Sequence, residues 1–99
     1  MTISYAIPVC NEWLQLEYLL NYLLQKKRDQ DEIVVQCDEG NTTPSVYQVL
    51  KQFSNYKHLK VVEFPLNKDF ASFKNNLKDA CSGDYIFQID ADEYPDDYL

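Results

Sequence analysis

The chain has 99 residues, of which nine are basic and sixteen acidic, and its formal net charge is −7. This length suffices for one domain with one hydrophobic core. The negative charge disfavours binding to nucleic acid or to an anionic membrane surface, and a phosphorylated ligand would need a cation between its phosphates and the protein.

Hydrophobic patterning predicts four strands, at residues 3–9, 32–37, 59–64 and 84–90. Each is a short run rich in apolar or β-branched residues that ends near a proline, a glycine or a polar residue. Three helical patterns separate the strands. The first is expected to be capped by Asn11, and the second has Thr43 as cap and Pro44 at its first position.

The predicted helices have apolar residues at helical spacing. The apolar stripes are Trp13, Leu16, Leu20, Leu23 and Leu24 in the first helix, Val46, Val49, Leu50 and Phe53 in the second, and Phe70, Phe73, Leu77 and Ala80 in the third. Strands that alternate with such helices pair in parallel through right-handed crossovers. The sequence therefore predicts an α/β, Rossmann-like fold with a mostly parallel sheet of about four strands and helices on both faces.

Polar segments follow three of the predicted strands, at residues 8–12, 38–41 and 90–93. Ligands of open parallel sheets bind outside the carboxyl ends of the strands. We therefore expect these segments to line one pocket at one edge of the sheet. Asp38 and Glu39 are candidates to accept hydrogen bonds from a base or from ribose hydroxyls.

The fourth strand leads directly into Asp90, Ala91, Asp92 and Glu93. If the strand continues through them, the two aspartates point to the same side of the sheet, about 6.5 Å apart at Cα. Carboxylate oxygens suit magnesium or manganese, whose remaining ligands are commonly water and substrate phosphates. A solvated acidic strand end is the simpler alternative. Asp96 and Asp97, after Pro95, are expected to begin another helix.

The three cysteines, Cys10, Cys37 and Cys81, are odd in number and lack a CxxC spacing. They indicate buried thiols in a reducing compartment. Neither a signal peptide nor a bilayer-spanning apolar run is evident, so the cytoplasm is the expected location. A membrane association of the intact protein is left open. His58 has no carboxylate or cysteine arranged around it and is interpreted as a loop residue.

Three segments resemble family-two glycosyltransferases of the GT-A fold. They are residues 3–12 (ISYAIPVCNE), residues 33–42 (IVVQCDEGNT) and residues 74–93, which contain KN, GDYI and DADE in that order. The resemblance implies a truncated GT-A fold in which residues 1–99 form one domain that binds a nucleoside-diphosphate sugar. Relatives continue for about another domain, which supplies the acceptor site and the general base, so no catalytic base is assigned here.

The resemblance also assigns roles to individual residues. It implies a nucleotide-sugar-binding set of Pro8, Val9, Asn11, Glu12, Asp38, Glu39, Lys74, Asp90 and Ala91, and a metal set of Asp92 and Asp90. Within these sets, residues 8–12 would contact base and ribose, and Glu39 would read a pyrimidine. Lys74 would lie near the diphosphate or the sugar. Asp90 would approach the ribose or a metal-bound water, while Asp92 would ligate manganese or magnesium directly.

By the same resemblance the donor is a UDP-sugar by preference, and the acceptor is a glycan or a lipid-linked molecule in polysaccharide or cell-surface glycan synthesis. Three residues of the chain depart from the family pattern around the base. Glu39 replaces an aspartate, Leu77 replaces a glycine, and Cys10 replaces an aromatic residue that would stack on the base.

Two other functions are alternatives to a glycosyltransferase. A nucleotidyltransferase also combines such a sheet with an acidic metal site, but it usually needs a glycine-rich, basic loop after the first strand. Residues 8–12 contain neither glycine nor a basic residue. The other alternative is a truncated, non-catalytic module that self-associates through the unpaired edge of the fourth strand.

Overall fold

The structure is a computed structural model that describes residues 1–91. Its strands are β1 (Ile3–Val9), β2 (Glu32–Asp38), β3 (Leu59–Phe64) and β4 (Tyr85–Gln88), and its helices are α1 (Trp13–Lys26), α2 (Pro44–Gln52) and α3 (Phe70–Ala80). The strands form a parallel sheet in the order β3-β2-β1-β4. The predicted Rossmann-like α/β fold is confirmed. Within these 91 residues, none of the helices combines the length and the apolar character needed to cross a bilayer.

The two faces of the sheet are covered by different helices. Tyr5, Ile7 and Val9 of β1 share one face with their partners in β2. The main core forms here, where these residues pack against the buried leucines of α1 and the buried apolar residues of α2. Ala6 and Val34 point to the opposite face, where they pack with Leu77 of α3. Helices therefore lie on both faces, as predicted.

The order in which strands are added to the sheet reverses at β1, although all strands stay parallel. β2 and β3 extend to one side of β1, and β4 then pairs with its other side. The pairing continues past β4, because the Ile89 N–H donates to the Ala6 carbonyl over 2.9 Å. A crevice forms where strand order reverses, at the carboxyl ends of β1 and β4. Asp90 follows Ile89 and is thereby held at this crevice.

The start of α1 differs from the prediction. Glu12, not Asn11, occupies the N-cap position, and no side chain caps the helix. The prediction that Asn11 caps α1 is wrong because the chain is still turning there, and the Asn11 carbonyl accepts the Trp13 N–H at 3.0 Å. Trp13 is 44% exposed and lies in the groove between α1 and α2, so it is absent from the core stripe. The buried stripe of α1 is Leu16, Leu19, Leu20 and Leu23.

The amino ends of the strands are joined by buried polar groups. The Asp31 carboxylate accepts hydrogen bonds from the Ile3 N–H at 2.9 Å and from the Arg28 guanidinium at 3.0 Å. The bond from Arg28 holds the pKa of Asp31 below its ordinary value. One oxygen of the Glu32 carboxylate accepts from the Ser4 hydroxyl at 2.6 Å and from the Ser82 N–H at 2.5 Å. These bonds fix the starts of β1 and β2 and anchor the chain before β4.

Gly83 lies against the backbone of β1, and its N–H donates to the Ser4 hydroxyl at 2.8 Å. A Cβ atom at position 83 would lie 2.7 Å from that oxygen, 2.8 Å from the Ser4 nitrogen and 3.0 Å from the Ile3 carbonyl carbon. Real Cβ atoms do not approach backbone this closely. Position 83 therefore requires glycine for space, and this close approach allows β4 to reach β1.

We expect Gly83→Ala to lower the free energy of unfolding by about 1–3 kcal/mol, because the added methyl must displace backbone. Urea denaturation followed by circular dichroism measures the change. Gly40→Asn is the matched control, since the backbone at Gly40 has a φ of 84° but a Cβ there meets no atom within 4 Å. Asparagine tolerates this conformation, so its cost should be smaller. Equal stability of Gly83→Ala and the wild type would contradict the packing described above.

Helix α3 is attached to the sheet by a buried amide. Gln36 of β2 is fully buried, and its Nε2 donates to the Phe73 carbonyl at 2.7 Å. Its Oε1 accepts from the Asn76 side chain at 2.8 Å. Both bonds lie in the part of α3 that approaches the carboxyl edge of the sheet. Gln36 therefore fixes the position of α3 along the axis of β2.

We expect Gln36→Glu to destabilise the fold at pH 7 by more than about 2 kcal/mol, because it buries a charge and loses the donor to Phe73. Burial should raise the pKa of the new carboxyl above its unfolded-state value of about 4.3. The penalty should therefore shrink as the pH falls toward that value. Urea denaturation at several pH values tests this, with Gln48→Glu on the exposed face of α2 as control. A pH-independent difference between Gln36→Glu and the wild type would contradict the expectation.

Candidate functional site

A cleft of about 260 Å³ opens at the carboxyl edge of the sheet. Four segments meet there: the end of β1 with the β1–α1 loop, the end of β2, the β3–α3 loop with the start of α3, and the residues after β4. The lining residues are Pro8, Val9, Cys10, Glu12, Asp38, Leu66, Phe70, Phe73, Lys74 and Asp90. Segments that are far apart in sequence thus form one concave surface, at the point where strand order reverses.

Asp38 organises the loops around the cleft. It is 6% exposed, and its backbone carbonyl accepts the N–H groups of Asn41 and Thr42, each at 3.0 Å. Its Oδ1 accepts the Leu66 N–H at 3.0 Å and the Asn41 side-chain amide at 3.4 Å. One residue therefore closes the turn after β2 and holds the loop after β3. Among residues 1–91 the hydrogen bonds to the Asp38 carboxylate reach Oδ1, so Oδ2 retains acceptor capacity in a residue that lines the cleft.

The loops after β1 and β2 are joined through Cys10. Its carbonyl accepts the Thr43 N–H at 3.0 Å, and its thiol donates to the Asn41 carbonyl at 3.4 Å. Burial, with the nearby carboxylates of Asp38 and Glu12, raises the pKa of the Cys10 thiol. Cys10 is therefore a neutral wall residue of the cleft. The three cysteines are free thiols; Cys37 is buried, as predicted, whereas Cys10 and Cys81 are only partly buried, so the prediction of burial is wrong for these two.

The cleft is lined by more acidic than basic side chains. Glu12, Asp38 and Asp90 contribute carboxylates, and Lys74 contributes an ammonium group. Carboxylate oxygens in excess over basic groups favour a cation in the cleft, and magnesium and manganese prefer such ligands. Within residues 1–91, no three His, Cys, Asp or Glu side chains are grouped to hold a metal ion. The predicted ligand Asp92 lies outside the described residues.

Six of the residues predicted for the site line the cleft, and they are Pro8, Val9, Glu12, Asp38, Lys74 and Asp90. Asn11 and Glu39 are exposed and are not among the lining residues. The Glu39 N–H donates to the Phe64 carbonyl at 3.1 Å, which fixes the loop but leaves the side chain outside. Ala91 is buried in the main core.

Leu66, Phe70 and Phe73 form an apolar wall of the cleft that the sequence pattern does not predict. Phe70 and Phe73 belong to the apolar stripe predicted for α3. Phe73 is indeed buried, and its ring packs edge-on against Phe64 with centroids 6.4 Å apart. Phe70 is 64% exposed. Its spacing of four residues from Lys74 places both on one side of α3 and was the available signal.

The comparisons with known proteins agree with this architecture. No curated protein sequence matches the chain significantly. Residues 4–99 match the sequence profile of the family described as Glycosyl transferase family 2. This range includes most of β1, the other three strands and every residue that lines the cleft. The chain therefore belongs to glycosyl transferase family 2.

Proposed function

We propose that the cleft binds a nucleoside-diphosphate sugar together with a divalent metal ion, and that the intact enzyme transfers the sugar to an acceptor hydroxyl. One observation carries the proposal. Pro8, Asp38, Lys74 and Asp90, which are remote in sequence, line a single cleft at the reversal of strand order. Membership of the family supports a nucleotide-sugar donor as the ligand.

The lining residues suit the parts of such a donor. Pro8, Val9 and Cys10 form a wall without charge, which excludes water from one side of a bound nucleoside. The Oδ2 atom of Asp38 is an acceptor for a base N–H or a ribose hydroxyl. Lys74 places a positive charge at the cleft, where it would attract the diphosphate. Because Asp38 is held by the loops on both sides, its carboxylate is oriented before the ligand arrives.

The acidic residues at the cleft fit a hard cation. Asp90 lines the cleft, and Asp92 follows two residues later in the sequence. We assign these two aspartates as the residues that would hold magnesium or manganese. When bound, such an ion neutralises the charge that develops on the leaving diphosphate as the glycosidic bond breaks. The carboxylates of the cleft would otherwise repel the diphosphate, so the proposal requires donor binding to depend on the metal.

We expect UDP to bind the 99-residue chain at least about tenfold more tightly with manganese than without it, a difference of about 1.4 kcal/mol. Isothermal titration calorimetry with UDP, GDP and dTDP, each with and without manganese, measures the difference and ranks the bases. Asp92→Asn should remove the manganese-dependent part of the affinity. Asp97→Asn, which makes the same charge change in the same acidic segment, should retain it. Nucleotide affinity that is indifferent to manganese in the wild type would overturn the metal assignment.

We also expect UDP with manganese to protect Cys10 from alkylation, because Cys10 lines the cleft. Cys81 serves as a reference in the same molecule, since it lies after α3 and its thiol donates to the Leu77 carbonyl. Alkylation at about pH 8.5, near the ordinary thiol pKa, followed by peptide mass spectrometry gives both rates. The nucleotide should slow only the reaction of Cys10. Equal slowing at Cys10 and Cys81 would indicate general stabilisation of the fold and not occupancy of the cleft.

A further inference from the structure

Phe70 is an aromatic side chain that the fold leaves exposed. Among the large apolar side chains of residues 1–91, only Met1 at the chain terminus has a larger exposed fraction than Phe70. An exposed phenylalanine ring forgoes the stabilisation that its burial would provide. The ring does not simply face bulk solvent, because it lines the cleft. A ligand in the cleft could therefore recover this burial.

The backbone fixes the position of Phe70. It is the first residue of α3, and the preceding Asp69 caps the helix by accepting the Ser72 N–H at 3.1 Å and the Ser72 hydroxyl at 2.8 Å. Asn67 and Lys68 have φ values of 46° and 61°, in the left-handed region that asparagine tolerates and that lysine seldom adopts. The chain thus makes a tight turn directly before the ring. The hydrogen bond from Gln36 to the Phe73 carbonyl holds the next turn of α3 against β2. The position of Phe70 relative to the sheet is thereby fixed.

The two walls of the cleft differ in chemistry. The wall from β1 consists of Pro8, Val9 and Cys10, which offer no aromatic ring. The wall from α3 offers Phe70 at its rim, with Phe73 buried behind it against Phe64. A flat ligand ring that enters the cleft finds its aromatic partner on the α3 wall.

The order of groups along α3 matches the order of groups in a nucleotide. Lys74 lies one helical turn after Phe70, so the two side chains emerge about 5–6 Å apart at Cβ. Both line the cleft. In a nucleoside diphosphate a flat, aromatic base is joined through ribose to an anionic diphosphate. A ring followed by a cation can therefore bind base and diphosphate at the same time.

Resting on the proposed donor function, we infer that the base of the nucleotide stacks on Phe70, so that the start of α3 is the base-binding wall of this cleft. Stacking needs no particular pattern of hydrogen-bond donors, because every base has a π face. Phe70 thus supplies affinity for a base, while polar groups such as Asp38 supply the choice among bases.

The test compares UDP with ribose 5-diphosphate, which is UDP without its base, both in the presence of manganese. Phe70→Ala should weaken UDP binding about tenfold, in the range known for loss of a base–aromatic stack. It should leave the affinity for ribose 5-diphosphate unchanged. Phe70→Trp should retain UDP binding, and its fluorescence should be quenched by UDP and not by ribose 5-diphosphate. Phe70→Leu, which keeps apolar bulk without a ring, should lie between alanine and the wild type.

Tyr56→Ala is the control, because Tyr56 is also an exposed aromatic residue but packs against Phe53 and is not a lining residue of the cleft. It should bind UDP as the wild type does. Equal UDP affinity of Phe70→Ala and the wild type would overturn the stacking inference and leave the donor function standing. Equal losses for UDP and ribose 5-diphosphate would overturn it too, since they would show a general effect on the cleft. A wild-type chain that binds no nucleotide would overturn the donor function, and the inference with it.

Discussion

The parallel pairing of β4 with the free side of β1 is the constraint on which the site depends. This pairing reverses the strand order and brings the segment after β4 beside the loop after β1. It requires the chain to pass within contact distance of Ser4, which glycine at position 83 permits. Without the reversal, β4, which leads to Asp90, would not be a neighbour of β1, which contains Pro8. The chemistry at one edge of the sheet thus depends on a packing requirement near the other.

A second requirement is that the loops around the cleft keep their positions although several of the lining side chains are carboxylates. Asp38 meets it by accepting backbone N–H groups from its own turn and from the loop after β3. The bonds from its own turn reach the backbone carbonyl, whereas the Leu66 N–H and the Asn41 side-chain amide donate to the carboxylate. Such donors compensate a buried carboxylate for part of its lost hydration without adding a basic residue. Among residues 1–91, Lys74 is the basic residue that lines the cleft. The cleft combines a fixed acceptor, Asp38, with more acidic than basic side chains.

Much of this arrangement was predictable from sequence, and the exceptions share a cause. For residues 1–91, apolar periodicity predicts every strand and helix that the structure contains, and the rule for parallel sheets brings Pro8, Asp38 and Asp90 to one edge. Phe70 fits the apolar stripe predicted for α3, and spacing alone does not reveal that its ring is exposed at the cleft. Gln36 gave no signal either, since its partner Phe73 is 37 residues away. Contacts between segments that are distant in sequence determine where both residues lie and what they touch. The pattern of a single sequence indicates only local structure.

The ion pair of Arg28 with Asp31 and the bonds of Glu32 lie at the amino edge of the sheet, whereas the cleft lies at the other end of the strands. A strand of seven residues such as β2 separates the two by about 20 Å. At this distance substitutions usually act independently. Side chains that line the cleft can therefore be exchanged without disturbing the polar anchors at the amino edge, so the ligand preference of the cleft and the stability of these anchors can vary separately.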